Sequence, residues 1–162
     1  MTGKTHVALG TAFMIAMTVK YPQGTEVLGM SVIPAVSLLT ISAGSYGPDI
    51  DIKQSHLGKK YKFLSKHLKH RGITHTLLVP AVLLAAMIAV QAIPVLPSLI
   101  FGFLMGWVTH ILADLCNRKG VPLLWPLSSN KIHIATFKTG TWHEAIFAIL
   151  WLGGLIAWLT LF

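Results

Sequence analysis

Five apolar stretches separated by short polar segments constrain this chain more than any other feature of its sequence. They cover residues 5–19, 27–44, 74–93, 96–113 and 142–161. A helix needs about 20 apolar residues to cross a bilayer, with a range of roughly 17–25. The last four stretches are long enough. The first is short, and we expect it either to span a locally thinned bilayer or to be re-entrant. The pattern predicts an all-α, polytopic helical membrane protein with about five short transmembrane or re-entrant helices.

The composition agrees with lipid as the main solvent of the chain. Charged residues make up only 11% of the 162 residues, whereas soluble domains carry about 25%. With no linker or low-complexity segment, residues 1–162 are expected to form a single helical membrane domain. The single cysteine, Cys116, excludes an internal disulfide framework and a Cys-rich zinc ribbon. No small-x-small cleavage site follows the first apolar stretch, so we expect it to be retained and not removed as a signal peptide.

The distribution of Lys and Arg predicts the orientation. With five spans, the N-terminus and the loops 45–73 and 114–141 share one face and hold twelve of the thirteen Lys and Arg residues. The opposite face receives only Lys20. Cytoplasmic loops are enriched in Lys and Arg. The N-terminus is therefore expected in the cytoplasm, and the C-terminus, Phe162, outside it.

Seven of the thirteen positive residues lie between Lys53 and Arg71. We interpret this block first as a topology signal, and a nucleic-acid partner is not expected. Its lysines are suited to hold the anionic lipid headgroups of the membrane, at roughly 1 kcal/mol each. The lysines concerned are Lys59, Lys60, Lys62, Lys66 and Lys69.

Candidate metal ligands fall at the ends of the predicted helices on this same face. Residues far apart in sequence are thereby brought to one depth. Ionisable residues at membrane depth are costly and are functional candidates by default. Each also has a simpler interpretation, as a helix cap, an ion-pair partner or an interface residue. The seven candidates are His6, Asp49, Asp51, His70, His75, His110 and Asp114.

The spacing of four candidates favours shared sites. His110 and Asp114 are i and i+4 on a predicted helix and therefore share a face. Asp49 and Asp51 would present both carboxylates on one side if the run Pro48-Asp49-Ile50-Asp51 is extended.

The run His70-Arg71-Gly72-Ile73-Thr74-His75 is interpreted as a turn that enters a helix. Gly72 can supply a positive φ, and Thr74 is the expected N-cap. This arrangement lets the imidazoles of His70 and His75 converge on one ion.

Imidazole combined with carboxylate suits zinc, and a catalytic zinc site keeps one position open for water. Seven candidates exceed the needs of one structural zinc. They would suit two or more ions, or one ion with a general base and supporting partners. We predict Asp51 as the base and Arg71 as the group that binds an anion such as phosphate. His56 and His67 look like solvated loop residues, His133 lies in an irregular stretch, and the role of His143 and Glu144 stays open.

Four sequence elements together resemble a known family. They are Thr5-His6 with Gly10, Pro48-Asp49-Ile50-Asp51, His70-Arg71-Gly72-Ile73-Thr74-His75-Thr76, and His110 with Asp114. In this order they resemble the YdjM-like family, described as LexA-regulated, inner-membrane-associated, metal-dependent hydrolases. The resemblance implies a bacterial or archaeal inner-membrane protein, a link to the SOS response and metal-dependent hydrolysis. A more distant similarity, to zinc-dependent phospholipase C and P1-type nucleases, implies phosphoester substrates.

These observations predict a membrane-bound, metal-dependent hydrolase, with zinc as the expected ion, acting on a phosphoester or lipid headgroup at the cytoplasmic leaflet. Two alternatives stay open. A metal transporter or sensor would be expected to place ionisable residues near the bilayer midplane and on both faces. A non-catalytic membrane adaptor would leave the clustered aspartates without a purpose.

Overall fold

The computed structural model describes residues 1–135 and 137–162, and among these every residue except His56 is described with its side chain. The chain is mainly helical, with one short β-hairpin. The elements run in this order: α1 Gly3–Lys20, β1 Thr25–Val27, β2 Met30–Val32, α2 Pro34–Tyr46, a 3-10 helix Gly47–Asp51, α3 His56–Lys60, α4 Lys62–His67, a 3-10 helix Ile73–His75, α5 Leu78–Ala89, α6 Leu96–Leu115 and α7 Trp142–Leu161.

The β-hairpin corrects the expected second span, because it takes up the first part of residues 27–44. β1 and β2 pair in antiparallel register, with Val27 opposite Met30. Leu28 and Gly29 between them both have positive φ, as a type I′ turn requires. Pro34 therefore does not kink a long helix. It occupies the first turn of α2, where its missing N–H costs no hydrogen bond.

Within the described residues, two helices are long and apolar enough to cross a membrane, namely α6 and α7 with 20 residues each. The structure therefore supports two of the five expected spans by length and composition. With 13 and 12 residues, α2 and α5 are each only about 20 Å long. That length is short of the roughly 30 Å hydrocarbon core.

The helix α6 is the central element, and α2 packs against it at very short range. A Cβ atom on Gly44 would lie 2.0 Å from the backbone oxygen of Phe103, and one on Gly106 would lie 2.2 Å from that of Ile41. Gly102 has the same relation to Ser37, with 2.1 Å. The sequence Gly102-x-x-x-Gly106 thus serves the close contact of two helices. This contact fixes the part of α6 that carries His110 and Asp114.

The outer helix α7 lies against α1 and is exposed over most of its remaining surface. At the site end, Glu144 of α7 accepts a hydrogen bond from the backbone N–H of Thr2. At the other end, the Lys20 ammonium lies 4.8 Å from the ring centroid of Trp158. The two helices are therefore parallel, with both N-termini at the same face. Large apolar side chains of α7, such as Ile149 and Leu150 at 66% and 67% exposure, have no cover within the described part of the chain.

Two local conformations differ from those expected near the candidate ligands. The run that contains Asp49 and Asp51 is a 3-10 helix and is not extended, so the two carboxylates do not share a side. The positive φ expected at Gly72 falls on Arg71, where φ is 54°, and Gly72 itself has a φ of −95°. Thr74 is not an N-cap, because it lies inside a 3-10 helix that precedes α5.

Candidate metal centre

Two buried imidazoles, His75 and His110, form the middle of the candidate site, and each is 0% exposed. The 3-10 helix after the α4 segment carries His75, and α6 carries His110. Among the described residues, Nε2 of each ring has no hydrogen-bond partner. Nε2 of His75 lies 3.6 Å from Oδ2 of Asp114, and Nε2 of His110 lies 3.6 Å from Oδ1 of Asp49. Both unpartnered nitrogens therefore face carboxylates at distances too long for a hydrogen bond.

The opposite nitrogen of each ring is held by a fixed partner. Nδ1 of His110 lies 2.7 Å from the backbone oxygen of Ser45. A carbonyl oxygen only accepts, so Nδ1 carries the proton and Nε2 keeps a free lone pair. Nδ1 of His75 lies 3.0 Å from Oγ1 of Thr74 and 3.4 Å from Oδ2 of Asp51. These contacts assign the same tautomer to His75.

His6 and Asp114 complete one side of the site. The ring of His6, from α1, stacks on that of His110 with centroids 3.6 Å apart. Its Nε2 lies 3.5 Å from Oδ1 of Asp114. One turn of α6 separates His110 from Asp114, and Nε2 of His110 lies 4.0 Å from Oδ2 of Asp114. The same Oδ1 of Asp114 accepts from the amino group of Met1 at 2.8 Å.

The spacing of these atoms suits a divalent metal ion. Two ligand atoms at about 2.0–2.1 Å from a tetrahedral ion lie roughly 3.4 Å apart, and the contacts above are 3.5–4.0 Å. Two overlapping groups each bring their ligand atoms within 4.8 Å of one another: His6, His110 and Asp114, and Asp49, His75 and His110. His110 belongs to both groups but has one free nitrogen, so it can bind only one ion at a time. The residues present fit a metal, and their mixture of imidazole and carboxylate suits zinc among other divalent ions.

Asp51 lies behind His75 and not beside the unpartnered nitrogens. Its carboxylate accepts hydrogen bonds from the backbone N–H of Arg71 and from Oγ1 of Thr74, both at 2.8 Å. His70 is 3.1 Å away through Nδ1. Burial alone would raise the pKa of Asp51, but hydrogen bonds from His70, His75 and Thr74 hold that pKa well below its usual value. Both oxygens of the carboxylate are therefore engaged.

The other two candidates sit closer to solvent. The side chain of Asp49 is 13% exposed, and desolvation by burial raises the pKa of its carboxyl above the ordinary value. The side chain of His70 is 46% exposed. It reaches Asp51, and its ring lies nearly perpendicular to that of His75, with centroids 6.1 Å apart. The structure thus brings five of the seven predicted ligands around the free nitrogens and leaves Asp51 and His70 outside them.

Arg71 connects the site to a neighbouring cavity. Its guanidinium donates from one terminal nitrogen to Oδ2 of Asp114 at 2.7 Å and from the other to the backbone oxygen of Gly120 at 2.8 Å. The side chain is 6% exposed. Its Nε has no hydrogen-bond partner among the described residues, so this buried cation retains an unused donor.

Several supporting groups carry no signal in the sequence. The backbone oxygen of Ser45 orients His110, and the indole N–H of Trp107 donates to the backbone oxygen of Thr74 at 2.9 Å. A backbone carbonyl can belong to any residue type, so its role appears only in the fold.

Glu144, left open by the sequence, fastens α7 to α1, because it also accepts from the hydroxyl of Thr5. His143 stacks on Trp142 with centroids 3.9 Å apart.

Comparison with known proteins gives a consistent family. The chain matches the family described as YdjM inner membrane protein over residues 1–162. It is 35% identical over 136 residues to "Inner membrane protein YdjM" of Escherichia coli (strain K12) and equally to the protein of that name in Shigella flexneri. These alignments cover 78% of this chain and 66% of the relatives, so the chain spans just under two thirds of their length.

A third relative is covered more completely. It is "Uncharacterized protein YvsG" of Bacillus subtilis (strain 168), 32% identical over 151 residues, which are 90% of this chain and 86% of the relative. No solved structure gives a significant match.

Proposed function

Because this chain belongs to the YdjM inner membrane protein family, we propose that it is a membrane-bound, metal-dependent hydrolase. Its substrate is a phosphoester or lipid headgroup at the cytoplasmic leaflet. The observation that carries the proposal is the pair of buried, unpartnered Nε2 atoms of His75 and His110. An unpaired buried polar atom is costly in a folded protein. Two such nitrogen atoms that both face carboxylates are best accounted for by a shared divalent ion.

The residues around those nitrogens supply a ligand set for one ion or a close pair of ions. The set is His6, Asp49, His75, His110 and Asp114. A divalent ion held here supplies Lewis acidity, because it polarises an ester oxygen and lowers the pKa of water. Loss of hydrolysis together with loss of metal is therefore the expected signature of a ligand variant.

Asp51 and Arg71 take different parts in this proposal. Asp51 lies on the Nδ1 side of His75, away from the unpartnered Nε2 atoms, which favours a positioning role for Asp51 over that of general base. Arg71 donates to Asp114 and retains a free Nε–H. A guanidinium so placed can bind a phosphate oxygen beside the metal ligands.

Two features support the proposed membrane placement. The apolar helices α6 and α7 are long enough to cross the bilayer, and their ends near residues 115 and 142 lie at the site. The lysines of α3, α4 and the adjoining loop lie at the same end of the molecule, and Phe63 among them is 73% exposed. Cations together with an exposed aromatic ring suit the headgroup region of an anionic leaflet.

The test combines metal analysis with hydrolysis on the same samples of protein purified in a neutral detergent. We expect bound divalent metal, with hydrolysis of p-nitrophenyl phosphate or its bis-ester that is lost on chelation and restored by zinc. His110→Asn should lose metal and hydrolysis together, while His133→Asn, at an exposed histidine, should keep both. Bound metal without hydrolysis of any phosphoester would exclude the hydrolase and favour the transporter or sensor.

A further inference from the structure

A cavity of about 340 Å³ lies immediately beside the candidate metal centre. Segments 67–73 and 122–131 form its walls, and Arg71 is the wall shared with the centre. The volume is within the range of about 300–1,000 Å³ that is typical of small-molecule sites. None of the residues that line it, all within the described part of the chain, is acidic.

One part of the wall is cationic. Lys69, Arg71 and Lys131 line the cavity, together with His67. Arg71 is the buried cation of this wall, because its side chain is 94% buried, and its Nε–H has no partner among the described residues. Its backbone has a φ of 54°, a conformation that non-glycine residues rarely adopt. The Arg71 N–H donates to Asp51, while the guanidinium is held by Asp114 and by the backbone oxygen of Gly120.

The other part of the wall is apolar and continues to the surface. Leu68, Ile73, Pro122 and Trp125 line the cavity. Trp125 is 41% exposed, and Leu127, in the same loop, is 93% exposed. Exposed apolar side chains next to a cationic pocket suit the boundary between headgroups and acyl chains of a membrane.

We propose that this cavity binds a phosphate-bearing amphiphile, with its phosphate at Arg71, Lys69 and Lys131 and its hydrocarbon along Leu68, Ile73 and Trp125. This inference rests on the proposed function, for which the cavity would be the substrate subsite. The phosphate could also come from a tail-less phosphate compound, and the experiment separates these two sources.

Binding is measured by calorimetry on the full chain in neutral detergent, with zinc present and after chelation. The probes are dioctanoyl phosphatidic acid, dioctanoylglycerol and inorganic phosphate. Phosphatidic acid should bind at least tenfold more tightly than either other probe, because only it engages both walls. Binding should persist after chelation, when no metal-dependent turnover occurs.

Two variants assign the walls. Lys131→Gln should weaken the binding of phosphatidic acid and of inorganic phosphate about tenfold each, as expected for one lost charged hydrogen bond. Trp125→Ala should weaken the binding of phosphatidic acid by a similar factor but leave the affinity for inorganic phosphate unchanged. Lys119→Gln removes an exposed lysine of the same face that does not line the cavity and should change neither. An unchanged Tm in detergent serves as the folding check, and Leu68→Ser replaces Trp125→Ala if that variant fails the check.

The outcomes distinguish this inference from the proposed function. If Lys131→Gln and Trp125→Ala bind phosphatidic acid as the control does, the cavity is not the site, even where hydrolysis of p-nitrophenyl phosphate is intact. If inorganic phosphate binds as tightly as phosphatidic acid, the proposal that the ligand is an amphiphile is wrong. If phosphatidic acid binds selectively but no phosphoester is hydrolysed, the proposed lipid site stands and the proposed hydrolase function is wrong.

Discussion

Oδ2 of Asp51 lies 3.4 Å from Nδ1 of His75, on the side of the ring opposite the unpartnered Nε2. A carboxylate in this position fixes the tautomer and orientation of a metal-binding imidazole without touching the ion. Thr74 strengthens the arrangement, because its hydroxyl contacts both the carboxylate and the ring. The relationship separates Asp51 from Asp114, although sequence alone made both candidate ligands.

Asp51→Asn is expected to weaken zinc binding by roughly 10–100-fold, the usual cost of losing an outer partner. Asp114→Asn should weaken it further, because Asp114 faces the free nitrogens directly. Zinc titration against a competing chelator measures both. Glu26→Gln, at an exposed residue of the hairpin, is the charge-matched control and should have no effect. Equal losses of zinc affinity in Asp51→Asn and Asp114→Asn would indicate that Asp51 is a ligand.

Gly106→Ala is expected to destabilise the protein by about 1–3 kcal/mol through overpacking, since the added Cβ would lie 2.2 Å from the backbone oxygen of Ile41. Zinc affinity should fall as well, because α6 carries His110. Gly153→Ala is the matched control, for a Cβ there meets nothing within 4 Å, and alanine favours a helix. Thermal unfolding in detergent should give a lower Tm for Gly106→Ala only. A Tm equal to that of Gly153→Ala would contradict the close contact of α2 and α6.

The charge distribution and the course of α7 predict the topology. A 20-residue helix is about 30 Å long, so Phe162 should lie on the face opposite the site. In a Cys116→Ser background, the Lys60→Cys variant should react with a membrane-impermeant maleimide only from the cytoplasm. The Phe162→Cys variant should react only from outside. Labelling of the Lys60 position from outside would reverse the orientation and exclude a site at the cytoplasmic leaflet.

The lysines of α3 and α4 are expected to retain anionic lipid. Replacing Lys59, Lys60 and Lys62 by Gln should lower the phosphatidylglycerol that co-elutes with the protein from mixed micelles, at roughly 1 kcal/mol per charge and less in high salt. Removing Arg118, Lys119 and Lys138 by the same change is the control, with equal charge lost from another loop. An equal fall in both triple variants would mean that net charge, and not this surface, holds the lipid.

The local periodicity of the sequence determined the features that depend on neighbouring residues. The apolar lengths of residues 96–113 and 142–161 predicted α6 and α7 closely, because a helix long enough to span is specified by its own composition. The pairing of His110 with Asp114 also followed from the 3.6-residue repeat alone. The resemblance to the YdjM-like family was confirmed by the family match over residues 1–162, since its motifs are short and can be recognised in the sequence without the fold.

Tertiary structure decided how the candidate ligands divide into different positions. The 3-10 helix Gly47–Asp51 turns Asp49 toward His110 and Asp51 toward His75, which an i, i+2 spacing in the sequence cannot reveal. The positive φ falls on Arg71, whose backbone N–H bonds Asp51, a residue 20 positions away, and not on Gly72. The carbonyl of Ser45 reaches His110 only because three glycines let α2 and α6 approach. Contacts between distant segments thus separate the residues that face the proposed ion from those that hold them in place.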